Sequence, residues 1–446
     1  MVEASSADFQ PEVEFPSAPS PTGAAPAKLP FLLIVIAVTM FLPEELSFYF
    51  GERRMTVTRL VLLLLVPVIL FRFVTSILKE DYRFVWADAL VPVTSLWMFV
   101  GPAVNDGFDQ TVVASGIAAL EFCVPYLAAR LFLTERGQAV ALVRLLCIAI
   151  ATVGLLAIID EVARSWTIRE FVGRLTGYDS DLDVSDPALG YTRGFLFRAT
   201  STMEHPILLG TVCTLGLLLA SALRGSVRAY AIVGSVIGIV LAVSAAPILG
   251  GMMGFATLLY EKVTRQIPFR WTAVILVIVS AVVAIYVARD DPFGFLLNHL
   301  TLDPLSGWYR ALQWDCAGGL VLQSPIFGIG LSDEWVSICG LAKTIDAVWL
   351  LDAMKYGIPG SILIFLCYMG GSSIPISIKD TSLNLTEQER RLGFTLTVAL
   401  GVASFIGLTV TFWGAVYILT IFLAGIRAHL GALGSLPRDP LMDDDE

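Results

Sequence analysis

Twelve apolar segments, most of them close to twenty residues long, recur through this chain and constrain its fold more than any other feature. They lie at 30–44, 57–76, 86–104, 111–133, 138–160, 206–223, 228–245, 248–263, 271–289, 345–370, 393–410 and 412–428. A helix of about 20 apolar residues can cross a bilayer, and inside the bilayer only helices and closed barrels satisfy their backbone polar groups. We therefore predict an all-α, polytopic helical membrane protein with about twelve transmembrane spans.

The composition agrees with this class and limits the partners. Of 446 residues, 56% are hydrophobic and 15% are charged, whereas about a quarter of the residues of a soluble domain are charged. Much of the net charge of -10 lies near the two termini. The chain has no basic stripe that would release counterions from nucleic-acid phosphates. We therefore expect membrane lipid, and not nucleic acid, around this protein.

The positions of lysine and arginine predict the orientation, because short cytoplasmic loops are enriched in both residues. Their distribution places both termini in the cytoplasm and two long connections, 161–205 and 290–344, on the outer (periplasmic) face. The acidic first stretch, 1–29, is rich in proline, alanine and serine and is predicted to be a disordered cytoplasmic tail. Residues 30–430 then form the membrane domain, and 431–446 form an acidic cytoplasmic tail.

The first candidate site is the segment 197–210, F-R-A-T-S-T-M-E-H-P-I-L-L-G. Pro206 is well suited to be the first residue of a helix, which would place Glu204 and His205 at the positive end of the helix dipole. A positive helix end beside Arg198 suits phosphate oxygens. A carboxylate or imidazole there could also accept a proton from a hydroxyl. An interfacial anchor with Glu204 capping the helix explains the same residues.

The second candidate site lies in the second long connection, at 307–331. Residues 308–322 have the pattern of an amphipathic helix with Arg310 near its start. The S-P-I-F-G-I-G run that follows predicts a sharp turn, in which two glycines adopt unusual backbone angles. Cys316 and Cys339 lie in the same connection. The sequence leaves open whether they are bridged, which would contribute about 3 kcal/mol.

Two charged residues inside apolar segments, Glu121 and Arg144, are predicted to pair between neighbouring helices, since unpaired charges in a membrane are costly.

Four segments, in this order, resemble the O-antigen ligase and O-antigen polymerase superfamily of polysaccharide-assembling membrane proteins. The first is F-L-P-E-E-L-S-F-Y-F-G-E-R-R-M-T-V-T-R-L at 41–60, and the second is R-A-x4-E-H-P-I-L-L-G at 198–210. The third is W-Y-R-x3-W-x9-S-P-I-F-G-I-G at 308–330. The fourth is D-A-V-W-L-L-D-A-M-K-Y-G-I-P-G at 346–360, which is similar to a re-entering span.

This resemblance implies an inverting glycosyltransferase in the bacterial inner membrane. Such an enzyme takes a glycan from an undecaprenyl-pyrophosphate carrier and joins it to an acceptor glycan at the outer face, without a metal or other cofactor. By the same resemblance, Arg198 and Arg310 clamp the pyrophosphate. The general base is left open among Asp346, Glu204 and His205. The substrate-binding candidates are Arg193, Trp308, Tyr309 and Trp314.

Two departures from the superfamily favour a branch similar to exopolysaccharide polymerases over the ligases. Asp346 stands where the ligases have a histidine, and S-A-A-P at 244–247 replaces a common Ser-Arg pair. The sugar repeat and any partner that regulates chain length stay open. The main alternative is a polysaccharide flippase or secondary transporter with a similar span count. A transporter would carry its polar groups near the bilayer midplane, whereas this chain concentrates them in the outer connections.

Overall fold

The computed structural model describes residues 28–50, 53–79, 82–178, 192–193, 195–289, 292, 294–295, 304–332, 338–339, 345–370, 372, 376, 378 and 382–436. Within these residues the fold consists of helices and two short antiparallel hairpins. The helices are α1 Phe31–Thr39, α2 Val57–Leu78, α3 Trp86–Asp106, α4 Phe108–Phe132, α5 Gln138–Ala163, α6 Thr167–Thr176, α7 Pro206–Ala220, α8 Gly225–Ala242, α9 Ala245–Val263, α10 Arg270–Ala288, α11 Pro304–Gln323, α12 Val348–Gly370, α13 Glu387–Ile406 and α14 Gly414–Gly434. The strands are β1 Ser47–Phe50, β2 Arg53–Thr56, β3 Thr192–Arg193 and β4 Leu196–Phe197.

Every predicted apolar segment contains a helix, and the all-α membrane class is supported. Eight of the described helices are long and apolar enough to cross a membrane, so the predicted count of about twelve spans is not confirmed. The first segment, for example, contains a helix of only 9 residues, and the sixth contains one of 15 residues. Helix α14 continues to Gly434, beyond the predicted end of the membrane domain at 430. Positions 1–27 and 437–446 of the predicted tails lie outside the described residues.

The described connections gather at two ends of the helix bundle. At one, which we call the hairpin end, the guanidinium of Arg54 in strand β2 donates a hydrogen bond to the Tyr178 hydroxyl at 2.6 Å. At the same end, the backbone N–H of Leu331 donates to Asp106, the last residue of α3, at 2.6 Å. The parts of both long connections that the structure describes therefore lie at this end.

The opposite end, which we call the basic end, contains many of the lysines and arginines of the short loops. There Arg136, between α4 and α5, donates to the Asn384 side chain at 2.6 Å. The Gln138 side chain donates to the Lys28 carbonyl at 3.0 Å. Contacts of this kind tie the first described residues to the loops before α5 and α13.

The predicted pairing of Glu121 is wrong. Glu121 in α4 accepts a hydrogen bond from the Nε of Arg59 in α2 at 2.7 Å, whereas Arg144 in α5 is exposed. Helices α2 and α4 pack against each other, so an arginine in the first turn of α2 reaches the middle of α4. The nearest cation in space comes from a helix that is not adjacent in the sequence.

Helix α12 reverses direction at Gly357, whose backbone angles (φ 73°, ψ 172°) are not helical. The Trp349 ring lies 5.3 Å from the Phe365 ring and 5.7 Å from the Tyr368 ring. In a straight helix, residues sixteen positions apart would be separated by about 24 Å. Ser361 also donates a hydrogen bond to the Trp349 carbonyl at 2.9 Å. The two halves of α12 therefore fold back on each other, and the segment at 345–347 lies inside the bundle.

The S-P-I-F-G-I-G turn holds this reversal in place. As predicted, Gly328 and Gly330 adopt positive φ angles of 75° and 86°. A Cβ at Gly357 would lie 1.9 Å from the Ile326 carbonyl oxygen, which is too close for any side chain. The turn and the break in α12 therefore fit together only because both carry glycine at the contact.

Candidate functional site

Arg198 lies in a loop after β4 that buried hydrogen bonds hold in one conformation. The backbone N–H groups of Thr200 and Ser201 donate to one carboxylate oxygen of Asp160, at 3.1 and 2.8 Å. The Trp166 indole donates to the Arg198 carbonyl at 3.1 Å. The side chain of Arg198 is buried. The end of α5 and the start of α6 therefore position this arginine.

Helix α7 begins at Pro206, as predicted, but its cap is His205 and not Glu204. The Nδ1 atom of His205 accepts a hydrogen bond from the Ile207 backbone N–H at 3.2 Å. Burial, together with the charges of Arg198, Arg169 and Arg193, lowers the pKa of His205 to about 3. The ring is therefore neutral at physiological pH. Because Nδ1 is an acceptor, the proton is on Nε2, so His205 is a hydrogen-bond donor and a poor general base.

Arg310 lies on α11, which contains the predicted helix at 308–322. One turn later on the same helix, the Gln313 side chain accepts a hydrogen bond from the Asp346 backbone N–H at 3.0 Å. A disulfide joins Cys316, also on α11, to Cys339. This bridge settles a question that the sequence left open. Two restraints therefore tie the arginine-bearing helix to the segment that leads into α12.

The structure brings Arg198, Arg310 and Asp346 together. Burial raises the pKa of Asp346, and the charges of Arg310 and Arg198 oppose that rise. Burial lowers the pKa of Arg310. The negative charge of Asp346 opposes this lowering, and the positive charge of Arg193 lowers the pKa further. Asp346 is thus close to Arg198 and Arg310, Arg193 is close to Arg310, and the charges of Arg198 and Arg193 also act on His205. We call these five residues the arginine cluster.

Glu204 lies elsewhere, although it directly precedes His205. Its carboxylate packs over Gly414, where an added Cβ would lie 1.9 Å from Oε1. It lines a cavity of about 100 Å³ together with Glu44, Arg59 and Glu121. Burial and the charge of Glu44 raise the pKa of Glu204 to about 8, so the group is mostly protonated at neutral pH. The prediction that Glu204 and His205 face the same ligand does not match this arrangement.

The three aromatic candidates on α11 differ in their surroundings. Trp308 is exposed and Tyr309 is half-buried. Trp314 packs against a small apolar core that includes Ala317 and Ile345. Trp308 is therefore the most accessible of the three for stacking on a sugar ring, and Trp314 supports the helix.

Arg169, on α6, is a buried residue that sequence reasoning missed. Its Nε lies 2.6 Å from Glu45, and its Nη1 donates to the Glu204 carbonyl at 2.9 Å. It thus connects the loop before β1 to the start of α7. Asp160 was also missed, although its position beside Glu161 at the end of an apolar segment is a signal that could have identified it.

Within the described residues, no group of three or more histidine, cysteine, aspartate or glutamate side chains is arranged to hold a metal ion. The chemistry available at the arginine cluster is that of cations, a buried carboxylate and a hydrogen-bond donor. No known protein-family model matches the chain, and no curated protein matches it at a significant level. The arginine cluster is therefore the feature of the described chain from which we infer a function.

Proposed function

We propose that this protein is an inverting glycosyltransferase that transfers or polymerises glycans carried on undecaprenyl pyrophosphate, at the outer face of the bacterial inner membrane. The observation that carries the proposal is that Arg198 and Arg310, from two separate long connections, act on the same carboxylate. Guanidinium groups bind phosphate oxygens in a bidentate manner, and paired cations stabilise a diphosphate leaving group.

The reaction breaks the bond between the anomeric carbon of the donor sugar and the pyrophosphate oxygen. The acceptor hydroxyl forms the new bond from the opposite side of the ring, which inverts the configuration. Negative charge develops on the pyrophosphate, where Arg198, Arg310 and Arg193 stabilise it. The Nε2–H of His205 is available as a neutral donor to the same group. No metal is required for this arrangement of charges.

Asp346 is the best candidate for the base that takes the proton of the acceptor hydroxyl. Of the other two candidates, His205 is unsuited because its proton is on Nε2 and its Nδ1 caps the helix. Glu204 is unsuited because it lines a cavity with Glu44, Arg59 and Glu121, whose lining does not include Asp346. Burial raises the pKa of Asp346, which makes its carboxylate a stronger base. A bound diphosphate would raise that pKa further, because it adds negative charge beside the carboxylate.

Two features support an outer-face location for the site. The disulfide between Cys316 and Cys339 is in the same connection as Arg310, and disulfides persist in oxidising compartments outside the cytoplasm. The basic end has the loop lysines and arginines that are typical of the cytoplasmic side. Both features favour the same orientation.

The proposal is tested by deleting the protein and analysing surface polysaccharide together with lipid-linked oligosaccharide. Single repeats that accumulate on the carrier at the outer face indicate a polymerase, and finished polymer on the carrier indicates a ligase. Repeats that accumulate only at the cytoplasmic face indicate a flippase and would contradict the proposal. An unchanged profile of both pools would contradict it too.

A further inference from the structure

Another cavity lies at the basic end, away from the arginine cluster and from the cavity that Glu204 lines. It has a volume of about 160 Å³ and lies between the last two turns of α2 and the end of α4. Its lining consists of Arg72, Thr75, Ser76, Lys79, Tyr82, Arg130, Leu131 and Thr134. Arg72, Thr75, Ser76 and Lys79 recur at the spacing that places side chains on one face of a helix. Two cations and two hydroxyls of α2 therefore face one cavity.

The charge of this cavity is positive. Arg130 is neutralised by Asp88, which it contacts through Nε and Nη2 at 2.8 Å each. Arg72 and Lys79 are exposed, and neither pairs with a carboxylate in the described part of the chain. None of the lining residues is acidic. The hydroxyl-bearing side chain of Tyr82 also lines the cavity, beside Asp88 and Arg130. The cavity thus offers two cations and several hydroxyls to an anion.

The surface beside the cavity indicates which kind of molecule would carry that anion. Helix α2 is mostly unburied, and its last turns expose Phe71, Val74 and Leu78, which are 73%, 52% and 76% accessible. These apolar side chains flank the basic face. A phosphate in the cavity would therefore have a surface for acyl chains directly beside it, which a free inorganic phosphate does not need.

We propose that this cavity binds the headgroup phosphate of an anionic phospholipid in the leaflet at the basic end, with the acyl chains along the exposed face of α2. Arg72 and Lys79 contact the phosphate as cations, and the hydroxyls of Ser76 and Tyr82 donate hydrogen bonds to it. The inference does not depend on the proposed glycosyltransferase activity, because it concerns a different end of the molecule.

The test measures lipid binding to the full-length protein in detergent by native mass spectrometry. The probes are phosphatidylglycerol, phosphatidylcholine with the same acyl chains, glycerol phosphate and inorganic phosphate. The test variant is R72A/K79A. The matched control is R228A/K262A, which removes the same charge from two exposed positions at the same end. Thermal unfolding confirms that both variants are folded.

We expect phosphatidylglycerol to bind tighter than phosphatidylcholine. R72A/K79A should weaken phosphatidylglycerol binding about tenfold or more, since each cation near a membrane surface contributes about 1 kcal/mol. The control should retain wild-type binding. E80Q/D81N, which removes two negative charges directly after Lys79 in the sequence, should tighten binding, a gain that misfolding cannot produce.

Three results would overturn the inference. Equal losses in R72A/K79A and the control would show that any surface charge suffices. Both lipids carry a phosphate, but only phosphatidylglycerol has a net negative charge, so equal binding of the two would show that the site does not select an anionic lipid. Displacement by glycerol phosphate or inorganic phosphate at the concentration at which phosphatidylglycerol binds would identify a soluble anion as the ligand.

Discussion

Two groups of buried or partly buried charged side chains lie near each other at the hairpin end, and they are built differently. In the first, which we call the hairpin cluster, Arg54 and Arg169 face Glu44 and Glu45 at distances of 2.6 to 3.5 Å. Two cations meet two carboxylates. In the arginine cluster, Arg198 and Arg310 act on a single aspartate, and a third arginine, Arg193, acts on Arg310.

This difference is the reason for proposing a structural role for the hairpin cluster and a functional role for the arginine cluster. Balanced buried charges satisfy each other, so removing one leaves its partner exposed to the full desolvation penalty. Several like charges gathered near one carboxylate repel each other, and such an arrangement is typical of a site for an anionic ligand. The two clusters meet at a single point, where Arg169 donates to the Glu204 carbonyl just before His205.

The largest expected effect is on activity in the arginine cluster. Arg198→Ala or Arg310→Ala should reduce glycan transfer about a hundredfold or more, because each removes a cation from the leaving group. Arg→Lys at either position should also fail, because lysine cannot make the bidentate contact. Polymer formation and protein abundance are measured in the same cells. Arg164→Ala is the control, since this arginine donates to the Phe195 carbonyl, three residues before Arg198, but is half-exposed and pairs with Glu161. Normal polymer in either alanine variant, at normal abundance, would reject the assignment.

Substitutions in the hairpin cluster should change the stability of the folded protein. Glu45→Gln leaves the buried Arg169 without its closest carboxylate, and breaking a buried pair in this way destabilises by about 3–5 kcal/mol. We expect a low yield of folded protein and a lower thermal midpoint. The double variant E45L/R169M should recover much of the yield, because it removes both charges together. If the double variant were no more stable than Glu45→Gln, unpaired charge would not be the cause.

The disulfide provides a further test of this comparison, because it restrains helix α11, which carries Arg310, and joins no residue of the hairpin cluster. The double variant C316S/C339S should destabilise the α11 region by about 3 kcal/mol, from the chain entropy of a loop closed by residues 23 positions apart. Hydrogen exchange in α11 should rise, while the β1–β2 hairpin is unchanged. Glycan transfer should fall without being lost, since Gln313 still holds Asp346. A reducing agent should reproduce the effect in the wild type and do nothing further to the variant. Equal changes at both clusters would contradict a local role.

The smallest effect concerns pH and the cavity that Glu204 lines beside Glu44 of the hairpin cluster. Because the folded pKa of Glu204 is raised to about 8, its contribution to stability is present below its ordinary pKa near 4.5 and is lost as the pH rises through 8. The thermal midpoint should fall by a few degrees, on the order of 2–4 °C per kcal/mol lost, between pH 6 and pH 9. Glu204→Gln should flatten this slope and be more stable than the wild type at pH 9. An unchanged slope in the variant would show that another group titrates.

Several local features could be predicted because they depend on neighbouring residues only. Pro206 starts α7, residues 308–322 are helical, and Gly328 and Gly330 have positive φ angles. Proline suits the first helical position because it lacks an N–H that would have no partner there. The apolar spacing of 308–322 is that of a helix, and glycine has no side chain to oppose a positive φ angle. In contrast, the partner of Glu121 could not be predicted, since it depends on which helices are neighbours in space.

The divergence of Glu204 and His205 shows why the site itself was only partly predictable. His205 has an extended backbone (φ -151°, ψ 147°), and in extended chain successive side chains point to opposite sides. The two side chains therefore have different surroundings although they are adjacent in sequence, and of the two Glu204 lines the cavity with Glu44 and Glu121. A helical conformation at that position would have placed them about 100° apart, on a more nearly shared face.

The sequence by itself determined that the chain is a helical membrane protein and which arginines stand out in its long connections, because apolar length and local charge are properties of single segments. Only the tertiary structure decided that Arg198 and Arg310 lie near Asp346, that α12 folds back at Gly357, and that Cys316 and Cys339 are bridged. Each of those outcomes brings together residues distant in the chain, and their proximity depends on how helices pack, which no single segment encodes.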